Sequence, residues 1–233
     1  MLDRASDEVV AGKLKGSAFL SKSVKEFWVL ELMKPVEGFC ARTTLTPNMI
    51  STIGFGFTMI AAYLIATNHL IFGGWMIIWA GCCDFLDGRI ARIKNLQTQS
   101  GAFYDSVLDR YMDFAVFAGL AYLFRDSPWQ SVVFVALLGA MTTPYIKAKS
   151  ESLGIDASGG EMQRPERIVV IGVGALLSGY LTCMAYPWRD VREDLPPYIL
   201  YGSLLIVAVA SNKAAFGRFW STFQKLQEID KRR

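Results

Sequence analysis

The chain has 233 residues, 52% of them hydrophobic, a formal net charge of +3 and a mean hydropathy of +0.30. That length suits one domain or one compact membrane bundle, and the near balance of charge argues against a nucleic-acid partner. The hydrophobic excess comes in long runs with the charges gathered between them, which favours the bundle. Four cysteines, Cys40, Cys82, Cys83 and Cys183, follow neither a disulfide framework nor a metal-type spacing and are read as reduced apolar filler.

Residues 1–16 are polar, lack the apolar core of a cleaved signal peptide, and are expected to form a disordered cytoplasmic tail. In the juxtamembrane segment 17–45, Phe19, Val24, Phe27, Trp28, Leu30 and Met33 interleave with Lys22, Lys25, Glu26, Glu31 and Lys34. This stretch is too charged to span. It predicts an amphipathic helix lying in the membrane interface; a soluble helix packed on a cytoplasmic domain is the rival, and the chain leaves no such domain to pack on. Thr46 then caps a helix with Pro47 in its first turn, where the missing N–H costs nothing.

Six apolar runs follow, over about 49–67, 70–93, 101–124, 129–147, 168–186 and 197–216, each near the roughly 20 residues a bilayer core requires. Asn68 and His69 turn the chain between the first two. The expected fold class is therefore an all-α integral membrane protein: six transmembrane helices in a domain of residues 46–220, preceded by the interfacial helix and followed by a charged tail, 221–233. Of the 24 lysines and arginines, 21 fall on one side of this arrangement, and the opposite loops hold Arg125, Arg189 and Arg192. Both chain ends are thus expected on the cytoplasmic side.

Four aspartates stand at the mouths of the second and third spans. Asp84 and Asp87 are three apart and Asp105 and Asp109 four apart, so on helices each pair shares one face. Unpaired charge is costly at such positions, and two acidic faces brought together make an oxygen cluster suited to a hard divalent cation such as Mg²⁺. Helix capping, or pairing with Arg89, Arg92 and Arg110, is the plainer reading, but caps explain one carboxylate per helix end rather than four. Gly88, Ala91 and Gly101 leave a groove where a ligand can approach the backbone, and Arg92 beside it suits a phosphate. A cation transporter is the rival from another class; it would place acids near the midplane and show an internal repeat, and neither is seen.

A second constellation ends the fourth span and begins the fifth. Lys147, Arg164 and Arg167 are expected to converge on an anion beside the aspartates, with Gly159 and Gly160 permitting a loop that opens and closes. Contact with lipid phosphates is the alternative use of such residues. Interleaved Glu151 and Glu166 favour cations positioned by salt bridges.

The pattern D-x2-D-G-x2-A-R-x8-G-x3-D-x3-D, met by Asp84, Asp87, Gly88, Ala91, Arg92, Gly101, Asp105 and Asp109, resembles the signature of the CDP-alcohol phosphotransferases. The resemblance implies displacement of CMP from a CDP-linked lipid, such as CDP-diacylglycerol, by an alcohol hydroxyl. It implies two Mg²⁺ ions, with Mn²⁺ the alternative, on Asp84, Asp87 and Asp105, with Asp109 completing the second site. Asp109 is also assigned as the base that takes the acceptor's proton. Asp84, Gly88, Ala91, Arg92 and Gly101 would bind the donor, assisted by Asn48.

The later run Y-x-K-A-[KR]-x-E-x2-G followed by R-x-E-R is similar to members that transfer onto inositol phosphate. By that similarity Lys147 and Arg164 grip the acceptor's phosphate, and Arg218 is matched to a further family arginine. Glycerol-3-phosphate is the runner-up acceptor. Homodimers are the family expectation. Asp113 continues the acidic face of the third span outside the motif.

Overall fold

A computed structural model of the chain describes residues 34–156, 162–184 and 197–232. They form seven helices: α1 (Lys34–Arg42), α2 (Pro47–Ala66), α3 (Leu70–Ile93), α4 (Gln99–Leu123), α5 (Trp129–Ser152), α6 (Arg164–Met184) and α7 (Tyr198–Lys231). The polar tail and all but the end of the amphipathic segment lie outside the described residues. So do the loop glycines Gly159 and Gly160, and Arg189 and Arg192.

Helix starts follow local chemistry. Thr46 Oγ1 accepts from Met49 N at 3.3 Å with Pro47 in the first turn of α2, as the sequence predicts. Thr98 does the same for α4, its Oγ1 accepting from Gly101 N at 3.0 Å. At the head of α6 the Glu166 carboxylate reaches back to Gln163 N at 2.9 Å, the reciprocal half of a capping box. Asn68 carries the reversal between α2 and α3 with φ of 63°, a left-handed conformation that asparagine tolerates.

Five helices are long and apolar enough to cross a membrane: α2, α3, α5, α6 and α7. The third expected span, α4, is just as long at 25 residues but carries Asp105, Asp109, Arg110 and Asp113 within it. These four charges lower its hydropathy. Another difference lies at the carboxyl end, where the sixth span and the charged tail are one continuous 34-residue helix.

The bundle is layered around buried Ile65, Leu120, Val133, Leu200, Leu204 and Val207. α2 packs on α3 and α4, α3 on α6, and α7 on both α5 and α6. Close approach needs small residues. A Cβ on Gly119 would lie 2.5 Å from the Ala62 carbonyl oxygen, and one on Gly139 would lie 2.8 Å from Asn212 N, so these glycines set the α4–α2 and α5–α7 spacings. Outside, Tyr63, Phe72, Phe134, Leu138, Leu177 and Val209 stay exposed; so much outward apolar surface is what a lipid-facing protein presents. The protein is an integral membrane protein.

α1 is fastened to the charged end of α3. Arg89 grips Glu37 with Nε 2.7 Å and Nη2 3.0 Å from its carboxylate oxygens. Lys94 Nζ donates to Thr43 O at 2.7 Å and to Leu45 O at 2.8 Å.

Candidate active site

The end of α3 and the start of α4 bring the sequence-predicted acids together. One carboxylate oxygen from each of Asp84, Asp105 and Asp109 falls within 4.8 Å of the others. The three are half-buried. Their grouping follows from the i, i+4 spacing on α4 facing Asp84 on α3. The plainer reading of these acids holds only for one pair: Arg110 Nη2 lies 3.7 Å from Asp109 Oδ2, whereas Thr46 and Thr98 do the capping and Arg89 is spent on Glu37.

Asp87 stands apart from that triple. It is buried, and its Oδ2 accepts from Ser51 Oγ of α2 at 2.5 Å. Next to Ser51, Thr52 shares a hydrogen bond of 2.9 Å with the Tyr104 hydroxyl. Sequence reasoning missed Ser51: a serine in an apolar run signals nothing until the helix phase relative to α3 is known.

Of the residues expected to bind the donor, Gly88, Ala91 and Arg92 lie at the end of α3, Gly101 at the start of α4 and Asn48 at the start of α2. Gly101 lies against Asn48, whose Oδ1 would be 3.4 Å from a Cβ at that glycine, and Gly88 lies beside the Arg92 guanidinium, at 3.7 Å by the same measure. Ala91 is half-buried one turn on. A Cβ at Gly101 would also meet Thr98 Oγ1 at 2.9 Å, so this position is kept free of a side chain by the cap beside it.

The basic residues divide. Arg164, at the first turn of α6, enters the acid cluster: Nη1 bonds to Asp84 Oδ1 and lies 2.8 Å from Asp109 Oδ1, and Nε lies 3.4 Å from Asp113 Oδ1. Arg167 is buried and donates to Asp113 Oδ2 at 2.9 Å. Lys147 instead sits exposed on α5 with Glu151 at 3.8 Å. Arg218 on α7 donates to Thr143 O at 3.2 Å, one turn before Lys147, and lies within electrostatic range of Arg167.

The acids fit a divalent cation. Three carboxylate oxygens converge, and Asp109 Oδ1 is fully buried without an aligned hydrogen-bond donor despite the nearby guanidinium. A buried carboxylate oxygen in that condition is under-satisfied. Oxygen-only donors of this kind select hard ions over zinc or copper.

Membrane helices that present a carboxylate cluster beside buried arginines define a class, and residues 44–209 match the CDP-alcohol phosphatidyltransferase family. The chain belongs to that family. Among its relatives, the phosphatidylinositol phosphate synthase of Mycobacteroides abscessus is 34% identical over 154 residues, covering 64% of this chain and 70% of the relative. The enzyme of that name from Mycobacterium tuberculosis is 30% identical over 202 residues, 84% of this chain and 88% of the relative. A crystal structure of the M. tuberculosis enzyme with CDP-DAG bound superposes with a TM-score of 0.68 at 28% identity, covering 82% of this chain and 94% of that one. Another, in complex with manganese and citrate, gives 0.69 at 28% identity over 81% and 88%. The protein is thus an enzyme of the CDP-alcohol phosphotransferase type, and divalent metal binding fits both its acids and a relative solved with manganese.

Proposed function

We propose that the protein transfers a phosphatidyl group from CDP-diacylglycerol to a phosphorylated alcohol, inositol phosphate, and releases CMP. The observation that carries this reading is the meeting of Asp84, Asp105 and Asp109 with Arg164 at their edge. Carboxylates to hold cations on a diphosphate, and a guanidinium to hold a second phosphate, are what such a transfer requires.

The acceptor hydroxyl attacks the phosphatidyl phosphorus. A new O–P bond forms as the bond to the CMP oxygen breaks, and the hydroxyl proton passes to Asp109. A carboxylate can accept it because phosphoryl transfer demands little deprotonation early in the reaction. Asp84, Asp105 and Asp109, joined by Asp87, would hold two Mg²⁺ ions, which when bound neutralise the diphosphate and the departing oxygen. Asn48, Gly88, Ala91, Arg92 and Gly101 line the donor's path. Arg164 takes the acceptor's phosphate, with Lys147, Arg167 and Arg218 supplying positive potential around it.

The site belongs on the cytoplasmic side, with six spans once α4 is included. Both assignments rest on the asymmetry of lysine and arginine and on α4 matching its neighbours in length. At that boundary a water-soluble headgroup reaches the acids while its acyl chains stay in lipid.

Purified protein given CDP-diacylglycerol vesicles, Mg²⁺ and either inositol phosphate or glycerol-3-phosphate tests the reading by CMP release. Turnover with inositol phosphate well above that with glycerol-3-phosphate is expected. The reverse preference would move the assignment to phosphatidylglycerophosphate synthesis, and dependence on neither would overturn it.

A further inference from the structure

Asp113 has no part in the chemistry above. It follows Asp109 by one helical turn, so it shares the acidic face of α4, yet it is buried at 7% exposure and turns to α6. Each of its oxygens has its own guanidinium: Oδ1 lies 3.4 Å from Arg164 Nε, and Oδ2 accepts from Arg167 Nη2 at 2.9 Å. Arg167 is 4% exposed and also lies 3.5 Å from the Met162 carbonyl oxygen, at a buried residue whose φ of 58° fixes the turn into α6. Asp113 and Arg167 thus form a rigid backing.

Arg164 hangs from that backing by Nε, while its opposite edge, Nη1, meets Asp84 and Asp109. An arginine fork is planar, so fixing one edge fixes the direction of the other. The outer edge can then exchange carboxylate oxygens for phosphate oxygens without the guanidinium losing its place.

We propose that Asp113 is a positioning residue that, through Nε, aims Arg164 at the acceptor's phosphate. The proposal rests on the reading of Arg164 as the acceptor-phosphate cation. Its consequence is a ruler. Asp109 and Asp113 ride on one rigid helix about 6 Å apart along its axis. That helix therefore sets the distance between the group receiving the hydroxyl proton and the arginine holding the phosphate, and so which phosphorylated alcohols fit.

Three variants assayed by CMP release test this. Asp113→Glu keeps the charge but displaces the carboxylate, and Asp113→Asn keeps the shape but removes the charge. Both should raise the KM for inositol phosphate by about tenfold, the size expected for weakening one charge-assisted hydrogen bond. The kcat, the KM for CDP-diacylglycerol and the Mn²⁺ affinity read by electron paramagnetic resonance should stay near the parent values. Arg164→Gln, run beside them, should raise the same KM further. If Arg164→Gln leaves the acceptor KM unchanged, the acceptor reading fails and takes the proposal with it. If Arg164→Gln raises it and both Asp113 variants do not, the positioning role alone is overturned. Loss of a monodisperse folded species in both Asp113 variants would assign the residue to the fold and equally overturn the proposal.

Discussion

The acidic half of the site, built by α3 and α4, and the basic half, built by α5, α6 and α7, answer differently to the same kind of sequence reasoning. The acids sit on consecutive helices joined by five residues, so the i, i+4 spacing of Asp105 and Asp109 transfers directly into a cluster with Asp84, while Asp87, three residues on from Asp84, turns to Ser51 instead. The cations come from three helices, two of them separated by residues 153–163, and they split: Arg164 and Arg167 go into the acids, Lys147 stays exposed beside Glu151 on α5, and Arg218 reaches across the α5–α7 seam to Thr143 O. Spacing along a helix reports rotational phase. It says nothing about how far apart two helices stand.

That contrast can be broken experimentally, and the largest effect should come from the acidic half. Chelating divalent ions with EDTA should abolish CMP release, with recovery on adding Mg²⁺ or Mn²⁺. Asp109→Asn should lower kcat by about 10²–10⁴-fold, the usual worth of a positioned general base, with the bundle still folded by circular dichroism. Activity surviving in Asp109→Asn would remove the base assignment.

Arg164→Gln comes next, with an acceptor KM raised by about 10–100-fold, since a charge-assisted phosphate contact is lost. Lys147→Ala should raise it by only a few-fold, because an exposed ammonium 3.8 Å from Glu151 acts through screened potential. Equal losses in the two variants would join the basic residues back into one constellation. The smallest effect belongs to Thr98→Ala, which removes the α4 cap and should cost about 1 kcal/mol of stability, seen as a lowered midpoint in thermal unfolding with acceptor KM unchanged.

Much of the scaffold was legible in advance. The cap at Thr46, the turn at Asn68 and the convergence of Asp84, Asp105 and Asp109 all follow from local rules of capping, left-handed tolerance and helical phase. What was not legible depends on packing between helices. Ser51 on Asp87, Glu37 on Arg89, and Asp113 between two arginines each join residues from different elements, and polar side chains in apolar runs have no periodicity to announce their partners. α4 illustrates a related point: Asp105, Asp109, Arg110 and Asp113 lower its hydropathy, so the helix that carries two of the three clustered acids is not among the five that are apolar enough to cross a membrane.

The length of α7 has a practical consequence. Thirty-four residues at about 1.5 Å each make a rod of roughly 50 Å, against a hydrocarbon slab of about 30 Å. Some 20 Å of stiff helix must then stand clear of the acyl chains or lean among the headgroups. A fluorophore placed at Glu228 would ride on that mast, and its height above the lipid surface would report any tilting of the bundle during turnover.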